Sequence, residues 1–349
     1  MANQASVIPA ATAKVELQDV EKYTPGPNEV LVKVHSIGFS PIEAKVQRFA
    51  THPIPYPNIL GSSFAGIIES LGPDVKDLQV GDRIVTIRSP KALGDPKFGA
   101  YQKYALASAS SISKLDPSTP FHAASAAILN TAAIVCALTI HLGLDRPDLT
   151  SSSPSPANKN KKILIYGGSS SSGGLSVRFL AHARYTVITT SSPAHHDFVK
   201  SLGAAEIIDH RQPTAEIIKA LQSHGPYDAV FDTIGTPAAT DAVVGYLETL
   251  GSAPVSYNTL IPPLPGTRES PANVERKFAP YSFALEEPAH AELKKWMLEV
   301  YVPQGLKTGV LVPTRQEVLT GGLGSVQKAL DDMIEDRVSG KKLVLDPWA

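Results

Sequence analysis

The sequence predicts an α/β protein with two parts, a β-rich lobe and a doubly wound parallel sheet. Three observations carry this. Up to about Leu115 the chain is dense in short alternating runs broken by proline and glycine. A long stretch of small and apolar residues follows from Phe121. Beyond Lys161, apolar strand candidates and helix candidates take turns. At 349 residues the chain exceeds one ordinary core, so two compact parts are expected.

In the first part, EVLVKVHSIGF, FAGIIESLG and GDRIVTI alternate apolar and polar positions, the pattern of half-buried strands. Ala123 to Leu142 reads as one continuous helix. KKILIYGG is then a strand, followed by a helix from Gly174, the strand YTVITTSS, the helix HHDFVKSLG and the strand AEIIDH. Another helix, the strand YDAVFDTIG, a helix and the strand GSAPVSY continue the alternation, which implies parallel crossovers. A last helix in SVQKALDDMIEDRV and a strand in KKLVLDP stand outside it, free to return to the first lobe. The expected boundaries are 1–122, 123–300 and 301–349. Asp145 to Lys162, DRPDLTSSSPSPANKNKK, has no apolar anchors to offset the entropy of ordering, so a mobile surface loop is expected there rather than a linker between domains.

With 43% hydrophobic residues, 19% charged and a net charge of −1, no basic excess marks a nucleic-acid or membrane surface as partner. A small-molecule substrate is expected. The N-terminal residues lack a basic start followed by an apolar run, and no segment is expected to reach the length of a membrane span. A soluble, cytoplasmic protein follows as the expectation. Cys136 is the only cysteine, which excludes intramolecular disulfides and cysteine-rich zinc sites. Its apolar neighbours predict a buried thiol rather than a nucleophile.

The stretch ILIYGGSSSSGG places a glycine and serine turn between a strand and a helix. In a dinucleotide-binding turn, glycines provide the tight bend, the close approach of backbone to pyrophosphate and the packing of helix on strand. Gly168, Ser170 and Gly173 take those three places, with the middle glycine substituted. Ser169, Ser170, Ser171 and Ser172 add hydroxyls at a helix N-terminus, which suits a phosphate better than a ligand-free serine turn does. The next strand ends ITTSSPAHH, without the carboxylate that binds a ribose 2′-hydroxyl in NAD-preferring sites. Ser191 and Ser192 can donate to a 2′-phosphate, and His195, His196, Lys200 or Arg211 can add positive charge. NADPH is the expected cofactor. Ordinary turn and cap chemistry for Ser-Ser-Pro accommodates the same residues.

Taken together, GPNEVLVKVHSIGFSPIEAK, ILGSSFAGIIESLGPDVKDLQVGDRIV, ILIYGGSSSSGG, VKSLGAAEIIDHR, YDAVFDTIG and VSGKKLV resemble the medium-chain dehydrogenase/reductase superfamily. The likeness is to its zinc-free quinone oxidoreductases and fungal trans-acting enoyl reductases, and runs nearly end to end. It implies a GroES-like β-rich catalytic domain made from both chain ends, with a Rossmann domain inserted. Zinc-dependent members carry a cysteine and a histidine where this chain has Ser40 and Ser62, so no metal is expected.

The resemblance further implies that Lys45, closing SPIEAK, faces the cofactor and binds ribose or orients the acceptor carbonyl. From spacing alone, a solvated helix lysine fits equally well. Thr131 in ILNTAAIV matches the family's threonine near the nicotinamide; a helix threonine bonded to its own backbone has the same sequence. The family's usual Asn and Asp are Ser40 and Glu43 here. The proton-donating tyrosine of mitochondrial-type enoyl reductases falls near Thr51, which leaves solvent or Tyr56 as the donor. Ile234 and Gly235 end a strand where parallel sheets place ligands, and His210 stands where relatives present a side chain to the adenosine. Asp232 is expected to be structural, held by capping partners. The expected activity is reduction of an activated C=C bond or a quinone by NADPH. The alternative is an NADPH-binding protein without turnover. A polyketide synthase partner follows from the enoyl reductase likeness, and the chain is expected as a monomer or a homodimer through the sheet edge.

Overall fold

The computed structural model describes residues 3–149, 158–251 and 255–349. The N-terminal segment forms β1 (Asn3–Ile8), β2 (Glu16–Val20), β3 (Glu29–Gly38), α1 (Pro41–Phe49), β4 (Asn58–Ile59), β5 (Ser63–Leu71), β6 (Arg83–Ile87), β7 (Tyr104–Ser108) and β8 (Ile112–Lys114). Its strands pair antiparallel, with β3 between β5 and β7. Alternation in EVLVKV explains the layer: Val30, Val32 and Val34 enter the main core with Phe64, Ile68 and Ile84, while Leu31 faces a smaller cluster with Tyr104 and Leu106.

The helix α2 (Phe121–Cys136) continues as a π-helical turn over Ala137–His141. The 21 residues Phe121–His141, with a mean hydropathy of 1.9 over an 18-residue stretch, are long and apolar enough to cross a membrane, which corrects the expectation that no segment reaches that length. Most of them are buried in the protein, among them Ile128, Ile134, Val135 and Leu138. They are apolar as a core helix is apolar. Cys136 is buried, as its neighbours predicted.

The central segment alternates β9 (Lys162–Tyr166), α3 (Ser171–His182), β10 (Thr186–Ser191), α4 (His196–Ser201), β11 (Glu206–Asp209), α5 (Thr214–His224), β12 (Ala229–Asp232), α6 (Pro237–Glu248), β13 (Ser256–Thr259) and β14 (Arg276–Phe278). Among the described residues its sheet runs β11-β10-β9-β12-β13-β14, and every pairing is parallel. This is the doubly wound order, reversing direction beside β9. Leu164, Ile188, Val230 and Tyr257 bury one face of the sheet with Ile217 and Leu221 of α5 and Val243 and Leu247 of α6. Residues 150–157 of the expected mobile loop lie outside the described residues. At its ends, Asp145 N–H donates to Tyr185 Oη at 2.9 Å and Asn158 Nδ2 to Ala183 O at 3.0 Å.

The C-terminal segment adds α7 (Ala291–Trp296), α8 (Val302–Thr308), β15 (Gln316–Leu319), α9 (Val326–Ile334) and β16 (Lys342–Leu345). β16 joins β3 in the first sheet, and α9 lies against α1. One compact unit contains Met1–Leu129, Glu286–Gly309 and Arg315–Ala349; the other contains Asn130–Leu285 and Val310–Thr314. The return therefore begins at Glu286 rather than 301, and the first crossing falls inside α2 rather than before it. The physical reason for the earlier return is that α8 packs on β8, with Lys307 Nζ 2.7 Å from Asp116 Oδ2.

Candidate functional site

The turn after β9 is shaped by glycines on both sides of the serine run. Gly167 has φ of +93°, and a Cβ there would lie 2.4 Å from Ile234 Cγ1. A Cβ on Gly168 would meet Thr189 Oγ1 at 2.4 Å, and one on Gly173 would meet Gly167 O at 2.0 Å. The tight bend thus belongs to Gly167, which the motif reading missed; the Gly-Gly pair after the strand was its signal. Ser170 Oγ accepts from Gly173 N–H at 2.9 Å and lies 3.0 Å from Thr233 Oγ1. The helix starts at Ser171, not Gly174, because Ser170 caps it. Ser171 and Ser172 therefore stand in its first turn, and Ser169 precedes the cap. Ser172 is buried, and its Oγ accepts from Asn130 Nδ2 at 2.8 Å. Ser169, Ser170 and Ser171 remain partly exposed at the positive end of a twelve-residue helix.

On β10, Thr190 Oγ1 accepts from Gly167 N–H at 2.9 Å, which ties the second strand to the turn. Ser191 is fully buried, and its hydroxyl points to Ser192 O at 3.3 Å. The expectation that Ser191 contacts a 2′-phosphate is corrected by this inward orientation. Ser192, which precedes the 3-10 turn Pro193–His195, is half-buried, as is His195. Arg211, nearby in sequence, pairs with Asp209 at 3.3 Å. His210 is exposed just after β11.

Asp232 closes β12 in full burial, with Oδ1 accepting from Ile234 N–H and Gly235 N–H at 2.9 Å each. Its partners are those expected of a structural carboxylate, although burial still raises its pKa. Gly235 has φ of +66°, and a Cβ there would lie 2.2 Å from Ile261. Ile234 and Gly235 thereby form a short rigid edge beside the glycine turn.

Thr131 is fully buried in α2, and its hydroxyl has no hydrogen-bond partner among the described residues. The self-bonded helix threonine is thus set aside. In the first unit, Lys45 is half-buried on α1. Tyr56 has a buried hydroxyl without a partner among the described residues and packs its ring on the main core. Glu43, standing where the family's usual Asp does, gathers two backbone segments with its buried carboxylate. Oε2 accepts from Ser40 N–H at 2.7 Å and Oε1 from Ser62 N–H at 3.1 Å. Lys342, also buried, donates from Nζ to Ser40 Oγ at 2.8 Å. Burial raises the Glu43 pKa and lowers that of Lys342 to about 8, each opposed by the other's charge.

Residues 26–117 match the alcohol dehydrogenase GroES-like domain, and residues 173–255 match the zinc-binding dehydrogenase domain. A trans-enoyl reductase of Talaromyces variabilis, pvhC, is 30% identical over 331 residues, covering 90% of this chain and 89% of that one. Another, tndF of Aspergillus flavipes, is 28% identical over 355 residues, covering 98% of each. A mycobacterial protein solved in complex with NADPH superposes with a TM-score of 0.73 at 19% identity, covering 99% of this chain and all of that one (100%). The residues at Ser40 and Ser62 do not fit the zinc that the second domain's description names. Serine hydroxyls are not among the usual zinc donors, and here one of them already accepts from a buried ammonium, which repels a divalent cation. Among the described residues no three His, Cys, Asp or Glu side chains gather at ligand distance. The glycine turn does fit a dinucleotide, since added Cβ atoms would fill the space where the strand and helix approach.

Proposed function

As the chain belongs to the medium-chain dehydrogenase/reductase superfamily and is an oxidoreductase of that type, we propose that it is an NADPH-dependent, zinc-independent reductase of activated C=C bonds. The observation that carries the cofactor half is the turn from Gly167 to Gly173 beside a second strand that ends in Ser191 and Ser192 without a carboxylate. The relatives' description as trans-enoyl reductases supports the acceptor half. When bound, the dinucleotide supplies a hydride to the electron-poor carbon of an enoyl or enone acceptor.

The protein's own groups bind and polarise. Ser169, Ser170 and Ser171 and the first N–H groups of α3 receive the pyrophosphate. Ser192 and His195 receive the 2′-phosphate, Ile234 and Gly235 bound the nicotinamide side, and His210 stands by the adenosine. Lys45 and Thr131 are the donors for ribose or for the acceptor oxygen, on which negative charge develops. Solvent delivers the proton, or Tyr56 does. A polyketide synthase as the source of a carrier-bound acceptor, and a homodimer through the edge of the Rossmann sheet, belong to the same reading.

Single-turnover mixing of the NADPH-bound chain with enoyl thioesters, enones and quinones tests this. The expected result is fastest oxidation by an enoyl thioester or enone. Faster oxidation by quinones would move the assignment to quinone reduction. Tight NADPH binding without oxidation by any of the panel would make the chain a binding protein.

A further inference from the structure

The first turn of α1 is held by its own carboxylate and by one charge from the far end of the chain. Ser40 precedes the helix, Glu43 binds the N–H groups of Ser40 and Ser62, and Lys342 at the start of β16 donates to Ser40 Oγ. Arg88, the other buried cation close enough to influence Glu43, spends its donors elsewhere. It bonds the carbonyls of Ile59, Ala92, Leu93 and Asp95 and the side chain of Asn58. Tyr101, also near Glu43, keeps a buried hydroxyl without a partner among the described residues. Lys342 is thus the cation whose ammonium reaches the Ser40 end of this group.

Buried opposite charges are a poor way to gain stability, because well-packed apolar residues hold a fold equally well. What they can do is specify geometry. We propose that Lys342 is a positioning residue for the reductase reaction, fixing the first turn of α1, and with it Lys45, through Ser40 and Glu43. The proposal rests on the reductase reading above. Its chemistry is that of acceptors. As a carboxylate, Glu43 offers an acceptor oxygen to each N–H. Without the ammonium, the buried acid takes up a proton, one oxygen becomes a donor, and one of the two tethers is lost. Lys45 lies two residues beyond Glu43 on the same helix and moves with that turn.

The test uses the full chain and two variants, Lys342→Met and Ser40→Ala. Turnover is read with NADPH and crotonyl-CoA, together with melting temperature and amide hydrogen exchange across α1 and the Gly61–Ser63 segment. Lys342→Met is expected to lower kcat at least about tenfold while KM for NADPH stays within about threefold. Exchange at Ser40 and Ser62 should rise at least about fivefold, with β9 unchanged. Ser40→Ala removes only the hydroxyl, keeps the charges, and should show the same direction at a smaller size; it carries the test if Lys342→Met does not fold. A lower melting temperature with parental kcat and parental exchange at Ser40 and Ser62 would overturn the proposal. If the parent reduces no acceptor, the reductase reading fails by itself, and local exchange alone then decides whether Lys342 positions the turn.

Discussion

Lys342 Nζ lies 2.8 Å from Ser40 Oγ although 302 positions of sequence separate them. The contact brings the start of the last strand to the N-terminus of α1, beside the carboxylate that also holds Ser62. A place where metal-dependent relatives are expected to carry thiolate and imidazole ligands is here filled by hydroxyls, a carboxylate and an ammonium from the chain itself.

Thr131→Val separates a catalytic hydroxyl from a packing one. The hydroxyl is buried without a partner, so replacing it by a methyl of similar shape should leave stability unchanged or raise it by up to about 1 kcal/mol. Turnover should nevertheless fall about tenfold or more if the hydroxyl serves the acceptor or ribose. Thermal unfolding and kcat on the same preparation check both halves.

Lys45→Ala should lower kcat by about 10²- to 10³-fold, the size expected for one polarising donor. Its half-exposed position predicts a stability change below about 0.5 kcal/mol. Unchanged kinetics at an unchanged melting temperature would return Lys45 to the role of a solvated helix residue.

Ser192→Asp should weaken NADPH by about 1–3 kcal/mol and spare NADH, because a carboxylate there repels a 2′-phosphate and accepts from a 2′-hydroxyl. Ser191→Asp should instead damage the fold, since that side chain is fully buried. Equilibrium titration of both cofactors, beside melting curves, distinguishes the two positions.

Gly173→Ala should both destabilise the central unit and abolish tight dinucleotide binding, since the new methyl carbon would stand 2.0 Å from Gly167 O. A loss above about 2 kcal/mol is expected, measured by denaturant unfolding, with cofactor titration on whatever fraction stays folded.

Stability should fall as the pH drops below the ordinary histidine range. His35, stacked on Phe121, and His122, whose Nδ1 is 2.8 Å from Ser36 Oγ, both have pKa values lowered from 6.5, chiefly by burial. The unfolded chain therefore binds more protons between that value and the folded one, and stability is lost on acidification through this window. Melting temperatures from pH 7.5 to 5 should decline, and His122→Gln should flatten part of the slope.

Local pattern alone determined much of this protein. Strand and helix alternation after Lys161 gives the parallel sheet because apolar period and turn residues are local properties. The Gly-Gly and serine run after ILIY marks the tight turn before α3 for the same reason, and the absence of cysteine and histidine at Ser40 and Ser62 needs no coordinates to be seen. Tertiary structure decided what depends on contacts distant in sequence. Burial turns Ser191 away from the surface, leaves Thr131 without a partner among the described residues and brings the Lys342 ammonium to Ser40 beside the Glu43 carboxylate. None of these has a period, since each arises where separate elements close on one another and water is excluded. The boundary at Glu286 is of the same kind. The helices after it join the first unit through α8 on β8 and Lys307 on Asp116, which no local run of residues announces.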